Sequence, residues 1–188
     1  KGITISNPKD KVYTGKDQTW VPEVKDAKGN VLDSSCYTVT YDKDDRTNVT
    51  GKINVTIKGA KDYKGEVTKT YQITKCPVTL KSADLEKVYD GTALVNGDTA
   101  LETEEGWVEG EGATYSFTGS QTIVGSSDNA FSFKLKNNTK EGNYSITQKE
   151  GTLTVTKQSI VPDKEHPETY KGITISNPKD KVYTGKDQ

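Results

Sequence analysis

The amino-acid sequence predicts an all-β chain of two small tandem sandwich-like domains with almost no helix. Three observations carry that expectation. Short segments alternate apolar and polar residues with period two, clusters of Gly, Asn and Asp separate them, and no stretch sustains apolar spacing at three and four residues. The 188 residues are 30% hydrophobic and include 17 glycines, enough for thin, divided cores rather than one deep one.

In the first expected domain, 1–75, alternation marks strands at 2–6 (GITIS), 20–24, 37–41, 53–57 and 67–73. The turns between them are DAKGN at 26–30, DKDDRTN at 42–48 and GAKDYKG at 59–65, whose Gly, Asn and Asp tolerate left-handed backbone or bond their own main chain. In the second, 76–157, strands are expected at 78–81, 114–118, 131–135, 144–147 and 152–156, with weaker pieces near Val88, Leu94 and Val108. The acidic run ETEEGWVEGEG, 102–112, is expected to form a loop or twisted edge, because closely spaced glycines weaken any strand. Residues 158–170, with two prolines and several charges, read as an extended linker.

Repetition is the strongest signal. Residues 1–18, KGITISNPKDKVYTGKDQ, recur without one change as 171–188, so the period is 170 residues and the last stretch is the first strand of a next repeat unit. On its own, that stretch is expected to stay mobile or to pair with a neighbouring molecule's sheet edge. A weaker echo lies inside the unit. Lys11, Val12, Tyr13 and Gly15 return as Lys87, Val88, Tyr89 and Gly91; Ile3, Thr4 and Ile5 answer to Val78, Thr79 and Leu80; TYQITK at 70–75 answers to TLTVTK at 152–157. Two cousin domains are implied.

The segments VYTGKDQTWVPEV, YTVTY and GAKDYKGEVTKTYQITK, with KVYDGTAL, VGSSDNAFSF and NYSITQKEGTLTVT, resemble the bacterial immunoglobulin-like and MBG-type repeats of cell-wall-attached surface proteins of Gram-positive bacteria. The likeness covers nearly all of 1–157. Its most specific pieces are the turn Tyr89-Asp90-Gly91-Thr92 and Asn143-Tyr144 followed by the closing strand at 151–155. The resemblance implies an immunoglobulin-like module of an extracellular adhesin or its stalk, attached to the cell wall through regions outside these residues, with no catalytic residues to carry over. Its partners would be neighbouring repeats of the same chain. The rival reading is a weak multivalent binding module for host glycan or protein.

Other functions find little support. Twenty-six Lys and Arg against 27 Asp and Glu leave a net charge of −1, interspersed along the chain, so no basic stripe exists for nucleic acid. No apolar run is long enough to span a membrane, and the first residues lack a signal-peptide pattern. The single histidine, His166, sits in the linker without a second ligand or base, which argues against a triad or a zinc site. Glu102, Glu104, Glu105, Glu109 and Glu111 crowd one Gly-rich loop, whereas a glycosidase needs two carboxylates on opposed walls. Asp42, Asp44 and Asp45 are spaced like calcium ligands, but Thr47 and Ile53 stand where an EF-type loop needs Gly and Glu. The expectation is therefore no enzyme, no cofactor and no metal.

Three residues remain as candidates. Cys36 and Cys76 either form one disulfide, contributing about 4 kcal/mol in the chain-entropy model, or stay two partly buried thiols. Trp107, flanked by Gly106 and acids, is the candidate ligand platform if it is exposed; edge or core packing is the alternative.

Overall fold

The computed structural model describes residues 2–160 together with 169–170, 173–174 and 178–179. Among them the chain is all-β, its only helical pieces being two three-residue 3₁₀ turns, Ser34–Cys36 and Glu141–Asn143. The early strands are β1 (Thr4–Ile5), β2 (Lys11–Val12), β3 (Val24–Lys25), β4 (Tyr37–Tyr41), β5 (Lys52–Gly59) and β6 (Glu66–Thr74). There follow β7 (Cys76–Lys81), β8 (Leu85–Val88), β9 (Leu94–Val95), β10 (Thr103–Glu105), β11 (Ala113–Phe117) and β12 (Ser120–Gln121). The last are β13 (Gly125–Asn129), β14 (Phe131–Leu135), β15 (Tyr144–Lys149), β16 (Gly151–Thr156), β17 (Thr169–Tyr170) and β18 (Ile173–Thr174).

These strands form several small sheets of mixed direction. The largest has the order β2-β6-β5-β4, and β1 pairs with β3 beside it in sequence. Three-stranded sheets β10-β7-β15 and β13-β16-β8 follow, with two-stranded pairs β11-β14, β12-β9 and β17-β18. Among the described residues β2 pairs parallel with β6, β7 with β15 and β8 with β16; each pair joins strands far apart in the chain, as parallel neighbours must be.

By contacts the chain forms two compact units. One comprises Lys1–Lys81, Leu101–Ser116 and Phe133–Lys149; the other comprises Ser82–Ala100, Phe117–Ser132 and Glu150–Gln188. In the first, Ile53, Val55 and Ile57 alternate inward along β5 against Tyr71 and Ile73 of β6, and Val78, Leu80 and Tyr144 are buried on β7 and β15. The second is built on Phe131, Leu153 and Val155 and on a buried polar knot. There Asn129 donates to Ala83 O at 2.9 Å and to Asn96 Oδ1 at 2.7 Å, while the Ser82 hydroxyl donates to Asn129 O at 2.7 Å and accepts from Gly151 N at 2.8 Å.

The sequence echo is also an echo of pairing. Lys11 and Val12 lie opposite Ile73 and Thr74, and Lys87 and Val88 lie opposite Val155 and Thr156. In both places the tyrosine amide donates to the threonine carbonyl at 2.9 Å, Tyr13 to Thr74 and Tyr89 to Thr156. The threonine hydroxyl returns the bond at 3.3 Å, to Lys11 O and to Lys87 O. Gly15 and Gly91, with φ of 72° and 81°, then turn the chain through the left-handed region that side chains avoid. Farther on, Asp42 N bonds Asn54 O and Ala60 N bonds Cys36 O; 76 residues later Thr118 N bonds Ala130 O and Lys136 N bonds Gly112 O.

Elsewhere the strands depart from expectation. Of 20–24 only Val24 enters a strand, because Pro22 has no N–H to give a ladder; the Trp20 carbonyl is bonded instead by the Tyr41 hydroxyl at 2.8 Å. The acidic run makes a short edge strand, β10, and then a turn, in keeping with the expected loop or edge, but Val108 lies in that turn rather than in a strand. β12 and β13 form where no apolar alternation marks them. Most of 158–188 lies outside the described residues, as does His166.

Candidate functional site

A polar and aromatic cluster gathers around Glu111, within the first compact unit. Three local structures present it. The bond from Tyr13 N to Thr74 O fixes where the Tyr13 side chain starts. A turn closed by Glu111 N to Val108 O at 2.9 Å holds the carboxylate. The 3₁₀ turn Glu141–Asn143 delivers Asn143 and Tyr144.

Glu111 bridges two phenols: Oε1 accepts from the Tyr13 hydroxyl at 2.6 Å, and Oε2 from the Tyr144 hydroxyl at 2.8 Å. The Tyr144 oxygen also accepts from Val108 N at 3.3 Å. The rings meet edge to face, Tyr13 on Tyr144 at 5.5 Å and Trp107 on Tyr144 at 4.9 Å, the arrangement their quadrupoles favour. Gly15 lies against the same turn so closely that a Cβ there would stand 2.9 Å from Val108 Cγ1. On the other side Asn143, buried, accepts from Val49 N at 3.0 Å and donates to Asn48 Oδ1 at 2.8 Å. Asn48 is itself held by Asp45, whose carboxylate caps the 45–48 turn.

Burial is the main cause that raises the hydroxyl pKa of Tyr13 and Tyr144, and the bond to Glu111 adds to it. Tyr115 is raised in the same way by burial and by its bond to Glu104. One carboxylate that accepts from two buried phenols holds chain segments together. Stretches near positions 13, 48, 108 and 143 are tied at one place.

The candidates from sequence fall around this cluster. Trp107 is half-buried, stacked edge-on against Tyr144 and donating from Nε1 to the Tyr115 hydroxyl at 3.3 Å, so its indole is engaged in packing. Cys36 and Cys76 are both free thiols; Cys76 Sγ lies 3.2 Å from Gly106 O, and burial raises its pKa. Of the acids in 102–112, Glu102 pairs with Lys81 at 2.5 Å, Glu104 accepts from Tyr115 at 2.7 Å and Glu111 from the two tyrosines. Asp42 accepts from Asn54 N at 2.8 Å, and hydrogen bonds from Asn48 and Thr47 lower the pKa of Asp45. Among the described residues no group of three potential ligands is placed to hold a metal ion, and no helix is long and apolar enough to cross a membrane.

Sequence reasoning missed Glu111, Tyr13 and Asn143 as a set. The available signal was Tyr13 in a repeated motif, but nothing in its neighbours pointed to a partner 98 residues away. In comparisons with known proteins, no family model and no curated protein matches this chain.

Proposed function

We propose that the chain is a structural tandem-repeat module of an extracellular bacterial surface protein, serving as stalk or spacer of an adhesin. Its two immunoglobulin-like sandwich domains would be 1–75 and 76–157, joined to the next unit through 158–170. The observation that carries this reading is the 18-residue copy at 171–188. A spacer gains reach from each added unit of this kind.

The architecture supports the same reading. Bonds recur at 76-residue separation, in keeping with cousin domains, and the cluster around Glu111 ties chain segments together. Trp107, the residue on which a glycan-binding alternative would turn, is occupied by Tyr144 and Tyr115. Enzymatic activity and a cofactor have no part in the proposal, and the location would be the cell surface.

Small-angle X-ray scattering on one, two and three tandem units tests it. With each domain about 30 Å across, the maximum dimension should rise by about 60 Å or more per unit. A dimension that saturates with unit number would remove the spacer reading.

A further inference from the structure

In the second stretch of chain, β7 carries a strand on each edge. β10 pairs antiparallel on one side, and β15 pairs parallel on the other, from Tyr144 opposite Cys76 to Lys149 opposite Lys81. Its counterpart β1, by the match of Ile3, Thr4 and Ile5 with Val78, Thr79 and Leu80, carries only β3 among the described residues. Chain length explains the difference. The bonds Tyr63 N to Ala60 O and Thr139 N to Lys136 O correspond, as do Ile73 and Val155 on the closing strands. Nine residues separate Tyr63 from Ile73, but fifteen separate Thr139 from Val155, and the six extra allow β15.

Where the first stretch lacks such a strand it has a groove of about 440 Å³. Ile3, Ile5, Val24, Tyr37, Ile57 and Tyr63 line it. Val24 and Ile57 are buried there, while Ile3 is 46% exposed. Among the described residues the backbone beside it has no further strand partner either. Ser6 N donates to Glu23 O across to the β3 side, so by the alternation of a strand the N–H and C=O of Ile3 and Ile5 point to the other edge.

The chain contains a second copy of this strand, and there the edge is paired. Thr169–Tyr170 lies antiparallel to Ile173–Thr174, with Tyr170 opposite Ile173, the copy of Ile3. These partners stand only three positions apart, so an antiparallel bridge between them can only be a pair that exchanges its own hydrogen bonds. The groups of Ile173 that face Tyr170 thus correspond to those for which Ile3 has no partner among the described residues.

We propose that the open edge of β1 and its groove form a strand-acceptor site, filled by the segment that precedes this strand in every repeat, 158–170, with Thr169–Tyr170 seated antiparallel on Ile3 and Thr4. This rests on the tandem-array reading, in which the residues ahead of each KGITIS are those ahead of Lys171. Pro167 limits the added strand to a few residues, since it cannot donate to a ladder. Each unit would then complete its own first sheet with its predecessor's linker, by the main-chain pairing that extended segments use on exposed edges.

The test is the full chain with a second copy of 158–170 added ahead of Lys1, followed by amide hydrogen exchange at Ile3. Exchange should slow by about tenfold or more relative to the unextended chain, and Tyr170→Pro in the added copy should abolish the slowing. Unchanged exchange would overturn the proposal, as would equal slowing by the proline-bearing extension. Slow exchange in the unextended chain that is lost on dilution would place a second molecule's strand in the groove and overturn it equally. Scattering against unit number judges the spacer reading separately, because units can stack with this edge open or filled.

Discussion

The motif Lys11–Val12–Tyr13 and its echo Lys87–Val88–Tyr89 share a backbone lock and differ in what becomes of the tyrosine. Both are fastened by a tyrosine amide and a threonine hydroxyl to the parallel closing strand, with bonds of the same lengths. Tyr13 is 5% exposed and bonded to Glu111; Tyr89 is 41% exposed. Local sequence therefore sets the lock, while distant chain decides whether the side chain is seated. One motif serves as an anchor and the other as a surface.

The cores diverge more sharply than the motifs, and the largest expected effects lie there. Ile53 and Asn129, 76 residues apart, are both fully buried, one apolar and one at the centre of the polar knot. Ile53→Ala should destabilise by about 3–4 kcal/mol through lost burial and an unfilled cavity. Asn129→Ala should cost about 2 kcal/mol, because Asn96 and the Ala83 carbonyl lose a buried partner. Denaturant melts measure both.

Next come the two tyrosines. Tyr13→Phe should cost about 1.5 kcal/mol, the scale of a hydrogen bond to a charged group, whereas Tyr89→Phe should fall within about 0.5 kcal/mol of zero. Equal losses would break the contrast between anchor and surface. The shared lock predicts equality: Thr74→Val and Thr156→Val should each cost about 0.5–1 kcal/mol, and a clear inequality would mean that the two locks are not equivalent.

Alkaline pH gives a further handle. The folded pKa values of Tyr13 and Tyr144 lie above the unfolded value of about 10, so their contribution is complete below about pH 10 and is lost as pH rises through the folded values. Stability measured from pH 8 to 11 should therefore fall at the alkaline end. Glu111→Gln should make that fall shallower but not remove it, since burial is the larger cause.

Much of this was legible in the chain. Alternation located β4, β5, β6, β7, β11, β14, β15 and β16, and the echoes at 11–15 and 70–75 contain the residues of the repeated lock without revealing that they pair. What failed has physical reasons. Pro22 cut short an alternating segment. β13, with the sequence GSSDN, has poor intrinsic preference and exists because β16 supplies a five-residue antiparallel partner. The parallel pairs were hidden because Lys11 meets Ile73 across 62 residues, which no local period encodes. Glu111 was hidden by composition: an acid between two glycines reads as solvated, and only Tyr13 and Tyr144, arriving from elsewhere, make it the centre of a cluster.

The most direct test of the anchor is a double-mutant cycle with Tyr13→Phe and Glu111→Gln, read by denaturant unfolding, beside the same cycle with Tyr89→Phe. A coupling of about 1 kcal/mol or more is expected for Tyr13 with Glu111, and none within error for Tyr89. Additive losses in the first cycle, or equal couplings in both, would contradict the claim that distant chain seats one tyrosine and leaves its twin on the surface.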